Sequence, residues 1–248
     1  MNERTALFIE EMGLGPVWLR RDASGESVGL QPAVAPEEAI ADAAPLAPSA
    51  PPAPLVAEMD WTALKASVAG CVKCGLCQGR THTVFGVGDE KAKWLFIGEG
   101  PGRNEDLQGE PFVGQAGKLL DNMLAAIGLR RGENAYIANV VKCRPTDDSG
   151  RDRPPAPDEA AACLPYLERQ IALIRPTVLV ALGKTAALSL LGLDPDTPVS
   201  RLRGKVHRYA GLPLIVTYHP AYLLRNLPEK RKAWEDLCLA TATYAAAD

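Results

Sequence analysis

Four short, strongly apolar runs separated by segments of helical length constrain this chain more than any other feature. They are Trp94–Ile97, Ala135–Val140, Thr177–Leu182 and Leu214–Thr217. Their length and β-branched content fit buried strands. Between them the spacing predicts helices over about Gln115–Ile127, stopped by Gly128, over about Pro157–Ile174, and from Lys184. Trp61–Val68 also reads as helical, a further strand is expected near Val206–Tyr209, and a last helix starts at Pro228. Strands alternating with helices imply an α/β fold with a mainly parallel sheet covered on both faces. Two of the runs feed loops that carry chemistry. Trp94–Ile97 leads into Gly98-Glu99-Gly100-Pro101-Gly102, and Pro213–Tyr218 leads into His219-Pro220-Ala221-Tyr222-Leu223-Leu224-Arg225. Each falls at the C-terminal end of a strand, where open α/β sheets bind and process ligands.

From Gln31 to Ala57 the chain is almost all alanine and proline, with scattered acids and no periodic apolar pattern. Such a composition cannot pack and reads as an extended, semi-rigid linker. It sets expected boundaries at a short N-terminal segment, 1–30, a linker, 31–58, and one globular domain, 59–248. The N-terminal segment has too few residues to build a core alone, so it is either frayed or docked on something. Residues 1–58 carry three basic against nine acidic side chains, whereas residues 59–248 carry 24 against 21. A mildly basic domain permits a phosphate-binding face, which the overall charge of −3 hides. No apolar run approaches the roughly 18 residues of a membrane helix. Glu3, Arg4, Glu10 and Glu11 interrupt the N-terminus where a secretion signal would be apolar. The expected compartment is cytoplasmic, where cysteines stay reduced and serve metals more often than disulfides.

Cys71 and Cys74 form a two-residue-spaced pair on a loop, Cys143 lies just past a strand, and Cys163 opens a helix. A CxxC pair with two later cysteines near element ends points to a four-thiolate site, and zinc and iron–sulfur both suit such ligands. Cys71, Cys74 and Cys77 imitate the first three cysteines of a bacterial ferredoxin motif, but Thr81 stands where the fourth would be. Cys77 therefore reads as a bystander, and Cys238, beside Leu237 and Leu239, as a small packed hydrophobe.

Residues of about 59–246 resemble the family 4 uracil-DNA glycosylases, the iron–sulfur branch of the uracil glycosylase superfamily. The resemblance rests on Thr81–Gly86, Gly98–Asp106, Pro111–Gly114, Asn139–Pro145 and His219–Arg225, in that order. It implies a three-layer α/β/α sandwich around a four-stranded parallel sheet. It further implies a [4Fe–4S] cluster held by Cys71, Cys74, Cys143 and Cys163. The implied activity is base excision repair: a monofunctional hydrolase flips uracil out of DNA and cuts its N-glycosidic bond, leaving an abasic site. A monomer acting on uracil-containing DNA, with no membrane partner, is expected. Two departures stand out. The family usually has alanine where this chain has Gly100, and an insertion in Asp147–Arg153 lengthens the interval from Cys143 to Cys163.

Such a reaction needs the base out of the stack, the departing anion stabilised, and water directed at an oxocarbenium-like sugar. His219 is expected to donate an imidazole N–H to uracil O2 as charge develops there. Asn139 at a strand end can donate to O4 and accept from N3–H with one amide, a pattern cytosine reverses. Phe112 is expected to be the aromatic platform for the flipped base. Gly98 and Gly100 let the backbone approach base and phosphate. The best-known relatives have an aspartate at the position of Gly100, so Glu99 is the nearest carboxylate for positioning water or stabilising the cation. Glu105, similar to a family residue that walls off the thymine methyl, would fill space left by Gly102. Leu223 and Leu224 suit a wedge and Arg225 a phosphate clamp. His82 and His207 lack a comparable context and are expected to be structural.

Arg4–Arg21, with the core Glu11–Arg21, resembles the N-terminal peptide of the bacterial replicative polymerase psi subunit, which docks on the clamp-loader chi subunit. Residues 1–30 would then tether the domain to the replisome through the linker. Two other readings compete. A non-catalytic DNA-binding replisome adaptor would have no need of His219, Asn139 and Phe112 together. A cluster-bearing redox protein would need a second redox motif or cofactor fingerprint, and the sequence has none.

Overall fold

A computed structural model describes residues 55–247. The expected docking segment, 1–30, and most of the linker, 31–58, lie outside the described residues. The chain runs through α1 (Trp61–Ala69), β1 (Val87–Gly88), β2 (Trp94–Gly98), α2 (Arg103–Gln108), α3 (Gln115–Ala126), β3 (Ala135–Asn139) and α4 (Pro157–Ile174). It continues through β4 (Val178–Leu182), α5 (Lys184–Leu191), α6 (Val199–Leu202), β5 (Val206–Tyr209), β6 (Leu212–Thr217), α7 (Pro220–Arg225) and α8 (Lys230–Ala245). The end of the expected linker is not unpacked: Val56–Glu58 form a 3-10 turn and Val56 packs on the core. Asp60 then caps α1, its carboxylate accepting the Ala63 N–H at 2.8 Å.

The strand order is β1-β3-β2-β4-β6-β5. The four central strands are parallel, as expected, and the sheet is extended at each edge by a short antiparallel strand. The edge strand β5 was legible in the sequence. The two-residue β1 was not, because alternation needs more positions to register.

Side chains on the central strands alternate between two cores. Leu95, Ile97, Leu179, Ala181, Leu214 and Val216 join α1, α4 and α5 on one side. Phe96, Ile137, Val180 and Ile215 join α3 and α8 on the other. Each large side chain so buried contributes about 1.5–3 kcal/mol of transfer free energy. This explains why the strands read as unbroken apolar runs rather than as alternating ones.

Register places the site. Gly98 pairs with Asn139, Ile97 with Ala181 and Leu182 with Thr217, so the carboxyl ends of the four parallel strands lie level. The chain passes from β2 to β3 over one face and from β3 to β4 over the other. That reversal opens a crevice beyond the end of β2.

Candidate active site

The crevice is a cleft whose walls include Glu99, Glu105, Phe112, Asn139, His219 and Arg225. His219 does not lie in a free loop. It caps α7, with Nδ1 accepting the Ala221 N–H at 3.1 Å. Pro220 in the first turn has no N–H to leave unpaired and a φ already suited to a helix. An accepting Nδ1 puts the proton of the neutral ring on Nε2, which remains available as a donor. Burial pushes the ring's pKa down to about 4; Arg225 adds to the fall and Glu105 opposes it. The imidazole is therefore neutral at pH 7, and it stacks on Phe112 with centroids 5.5 Å apart at 29°.

Asn139, the last residue of β3, is buried, and its Oδ1 has no hydrogen-bond partner. Such an unfilled acceptor costs about 1–3 kcal/mol until a ligand donates to it. Its backbone is held firmly instead. Lys142 Nζ donates to the Asn139 carbonyl at 2.8 Å and to Gln170 Oε1 at 2.6 Å. Phe112 has φ +56°, a left-handed conformation that costs a non-glycine residue about 1–3 kcal/mol. Both side chains crowd Gly98. A Cβ there would lie 2.4 Å from Asn139 Oδ1 and 2.6 Å from Phe112 Cζ.

The two carboxylates differ in setting. Glu99 accepts the Thr185 hydroxyl at 2.6 Å; burial pushes its pKa up and that hydrogen bond opposes the rise. Glu105 accepts the Val113 and Gly114 N–H groups at 2.9 and 3.1 Å. Its other oxygen lies 2.9 Å from where a Cβ at Gly102 would be. It thus fills the space beside Gly102 and ties α2 to the segment that carries Phe112.

Cys71, Cys74, Cys143 and Cys163 line one cavity on the opposite side of the β3 loop, together with Cys77 and Arg80. Cys163 lies in the second turn of α4, not at its start, because Pro157 begins that helix. Arg80 donates to Cys143 Sγ at 3.3 Å and to the Cys71 carbonyl at 2.7 Å, and the Lys142 N–H donates to Cys163 Sγ at 3.3 Å. Burial pushes the Cys163 thiol up to about 11 and raises those of Cys74 and Cys143 as well. Thiolates there need a cationic centre to hold them. Among the described residues no group of three His, Cys, Asp or Glu side chains is placed to grip a single ion. Four buried or half-buried thiols around one cavity are a donor set that suits a thiophilic centre, and zinc and iron–sulfur both take such ligands.

The profile of the uracil DNA glycosylase superfamily matches residues 85–238. The type-4 uracil-DNA glycosylase of Archaeoglobus fulgidus is 48% identical over 174 residues, covering 68% of this chain and 84% of that protein. The type-4 enzyme of Sulfurisphaera tokodaii is 45% identical over 181 residues, with 70% and 79% covered. That of Thermotoga maritima is 46% identical over 160 residues, with 64% and 80% covered. The chain belongs to the type-4 branch of the uracil DNA glycosylase superfamily.

One expected role is corrected by the structure, and both departures from the family pattern find their place in it. Leu223 cannot act as a wedge: it is 1% exposed, packed with Met123, Tyr218 and Leu237, whereas Leu224 is 41% exposed. The helical turn of α7 puts these neighbours on different faces, which a loop reading could not separate. Gly100 sits so close to Val141 that a Cβ would lie 2.7 Å from Cγ2, so an alanine or aspartate here would require Val141 to move. The insertion Asp147–Arg153 is a compact turn in which the Asp147 carboxylate accepts the Ser149 and Arg151 N–H groups, and Asp152 and Arg153 reach the cleft wall. His82 and His207 bond backbone carbonyls of Asp106 and Leu202, outside the cleft.

Sequence reasoning gave no role to Arg131, Thr185 and Arg80, which hold site residues through contacts distant in sequence, nor to Lys142, which lies within the Asn139–Pro145 stretch and bonds the Asn139 carbonyl three residues away. In an NMR titration the His219 ring is expected to stay neutral until the pH nears 4. Its pKa in the unfolded chain is about 6.5, so the folded state binds fewer protons between those values. Stability is then held in full above pH 6.5 and is lost as the pH falls towards 4. Urea melts from pH 7 to 4 check this, with His219→Gln expected to lack that part of the fall.

Proposed function

We propose that this chain removes uracil from DNA by hydrolysing its N-glycosidic bond, leaving an abasic site. One observation carries the reading. The unpartnered Asn139 Oδ1, the neutral His219 with its Nε2–H, and the Phe112 ring share one cleft. An extruded uracil satisfies all three: its ring stacks on Phe112, N3–H donates to Asn139 Oδ1 while O4 accepts from the same amide, and O2 accepts from His219 Nε2–H. Cytosine offers a lone pair at N3 and an amine at position 4, so the same amide opposes it.

As the C1′–N1 bond breaks, its electron pair moves onto uracil N1 and O2, and His219 Nε2–H strengthens its bond to O2. Glu99, held by Thr185, directs a water oxygen to C1′ and takes its proton. Glu105 walls the pocket beside Gly102. Leu224 fills the gap left in the stack, and Arg225 holds a phosphate. Cys71, Cys74, Cys143 and Cys163 would hold a [4Fe–4S] cluster. Bound there, it would supply iron–sulfur cross-links among the loop after α1, the loop after β3, and α4.

The test is base release from an oligonucleotide containing one uracil, by a preparation whose iron and sulfide are measured. Release is expected. Asn139→Asp keeps an acceptor but loses the O4 donor, and should release uracil about 10–100-fold more slowly, the range for leaving one base polar group unpaired. No release by a fully loaded preparation would favour the non-catalytic adaptor.

A further inference from the structure

Phe112 holds a backbone conformation that its own chemistry disfavours, so something beyond it must impose that conformation. Two groups touch the segment from opposite sides. Glu105 takes the N–H groups of Val113 and Gly114. The carbonyls on the other flank are taken by Arg131, which lies 19 residues further along the chain, between α3 and β3. Its Nη1 donates to Pro111 O at 2.8 Å and its Nη2 to Phe112 O at 2.9 Å. The guanidinium is itself gripped by two carboxylates, Asp121 on α3 at 3.0 Å and Glu110 at 3.4 Å. Arginine suits this task and lysine does not, because its planar fork can serve two carbonyls and two carboxylates at once. A further close contact closes the arrangement: at Gly117 in α3 a Cβ would fall 1.6 Å from the Phe112 carbonyl oxygen. The platform's backbone is therefore pressed onto α3 and pinned there.

We infer that Arg131 is a positioning residue for the base-stacking ring: it locks the left-handed backbone of Phe112 and so holds the ring against His219 and Asn139. Arg131 is absent from the cleft walls. Its influence on catalysis passes through Phe112 alone. The inference rests on the reading of Phe112 as the platform for the flipped base.

A double-mutant cycle on the full chain separates the possibilities. Arg131→Met is expected to slow single-turnover uracil release about tenfold or more and to weaken inhibition by free uracil by a similar factor. Binding to an oligonucleotide with a tetrahydrofuran abasic analogue, which presents no base to stack, should stay within about twofold. In a Phe112→Ala background, adding Arg131→Met should change the release rate less than about twofold, because the ring it positions is gone. Arg131→Lys, able to reach fewer of the four partners, should fall between wild type and Arg131→Met. Multiplying losses in the double variant, or equal weakening of abasic-analogue binding, would overturn the inference. Should Arg131→Met fail to fold, Asp121→Ala loosens the guanidinium while leaving both carbonyl contacts possible. It must then show a smaller loss that also vanishes in the Phe112→Ala background, and an independent loss refutes the inference. If Phe112→Ala alone leaves release and uracil inhibition unchanged, the platform reading itself fails, which is a separate outcome.

Discussion

Replacing His219 with alanine is expected to slow uracil release by about 10²–10³-fold, the usual cost of removing one preorganised donor from a developing oxyanion. The argument rests on the ring's protonation. Nδ1 is committed to the Ala221 N–H, and burial keeps the imidazole uncharged at neutral pH, so the only proton it offers is on Nε2. A neutral donor that needs no reorganisation gains most when charge appears on O2, and little in the ground state. Single-turnover rates should therefore fall far more than affinity for uracil-containing DNA. A variant that lost affinity and rate in equal measure would contradict this mechanism. His219→Gln, which keeps an N–H near the same place, should recover part of the loss. That recovery would be absent if the ring served only to cap α7.

The second large effect is expected at Gly98, a residue without any functional group. A methyl at this position would lie 2.4 Å from Asn139 Oδ1 and 2.6 Å from Phe112 Cζ, well inside contact distance of both. Asn139 is fixed through Lys142 and Phe112 through its pinned backbone, so neither yields cheaply. Gly98→Ala should displace the amide and the ring together and cost about 10²-fold or more in kcat/KM, as misplacement by about an ångström does. The fold should survive, because the clash lies at the end of β2 and not in its core. Base release and a thermal melt on the same preparation check the pair of expectations. A variant with wild-type activity would show that Asn139 and Phe112 do not form one pocket.

Most of the sheet was legible in advance because strands buried on both faces leave unbroken apolar runs, and Trp94–Ile97, Thr177–Leu182 and Leu214–Thr217 are such runs. The long helix over Pro157–Ile174 was equally plain, since proline marks its first turn and eighteen residues give the period room to register. The short elements were hidden. β1 spans two residues, and α2 and α7 six each, too few for periodicity to separate helix from loop. That is why Leu223 and Leu224 looked interchangeable in sequence and are opposite in burial. Within the site, Asn139, His219, Phe112 and both glutamates were found through motifs, whose residues touch the cleft directly. Arg131 and Thr185 sit on segments without a motif, and only the folded chain brings them to Phe112 and Glu99. Nothing in their local sequence distinguishes them from surface residues.

Asn139 at the end of β3 and Cys143 in the loop beyond it are four residues apart, and Lys142 between them bonds the carbonyl of the one while its N–H meets the sulfur of another cysteine, Cys163. This shared segment limits how the protein can diversify. Recognition loops normally evolve by gaining or losing residues, since length changes re-aim a side chain at little cost to the scaffold. Here one added residue would shift the Asn139 amide in the cleft and a thiol of the cysteine cavity at the same time. New base preferences should therefore arise by substitution in place, or from the separate loops after β2 and β6 that line the same cleft. The insertion at Asp147–Arg153 begins only after Cys143, beyond the segment that cannot change its length.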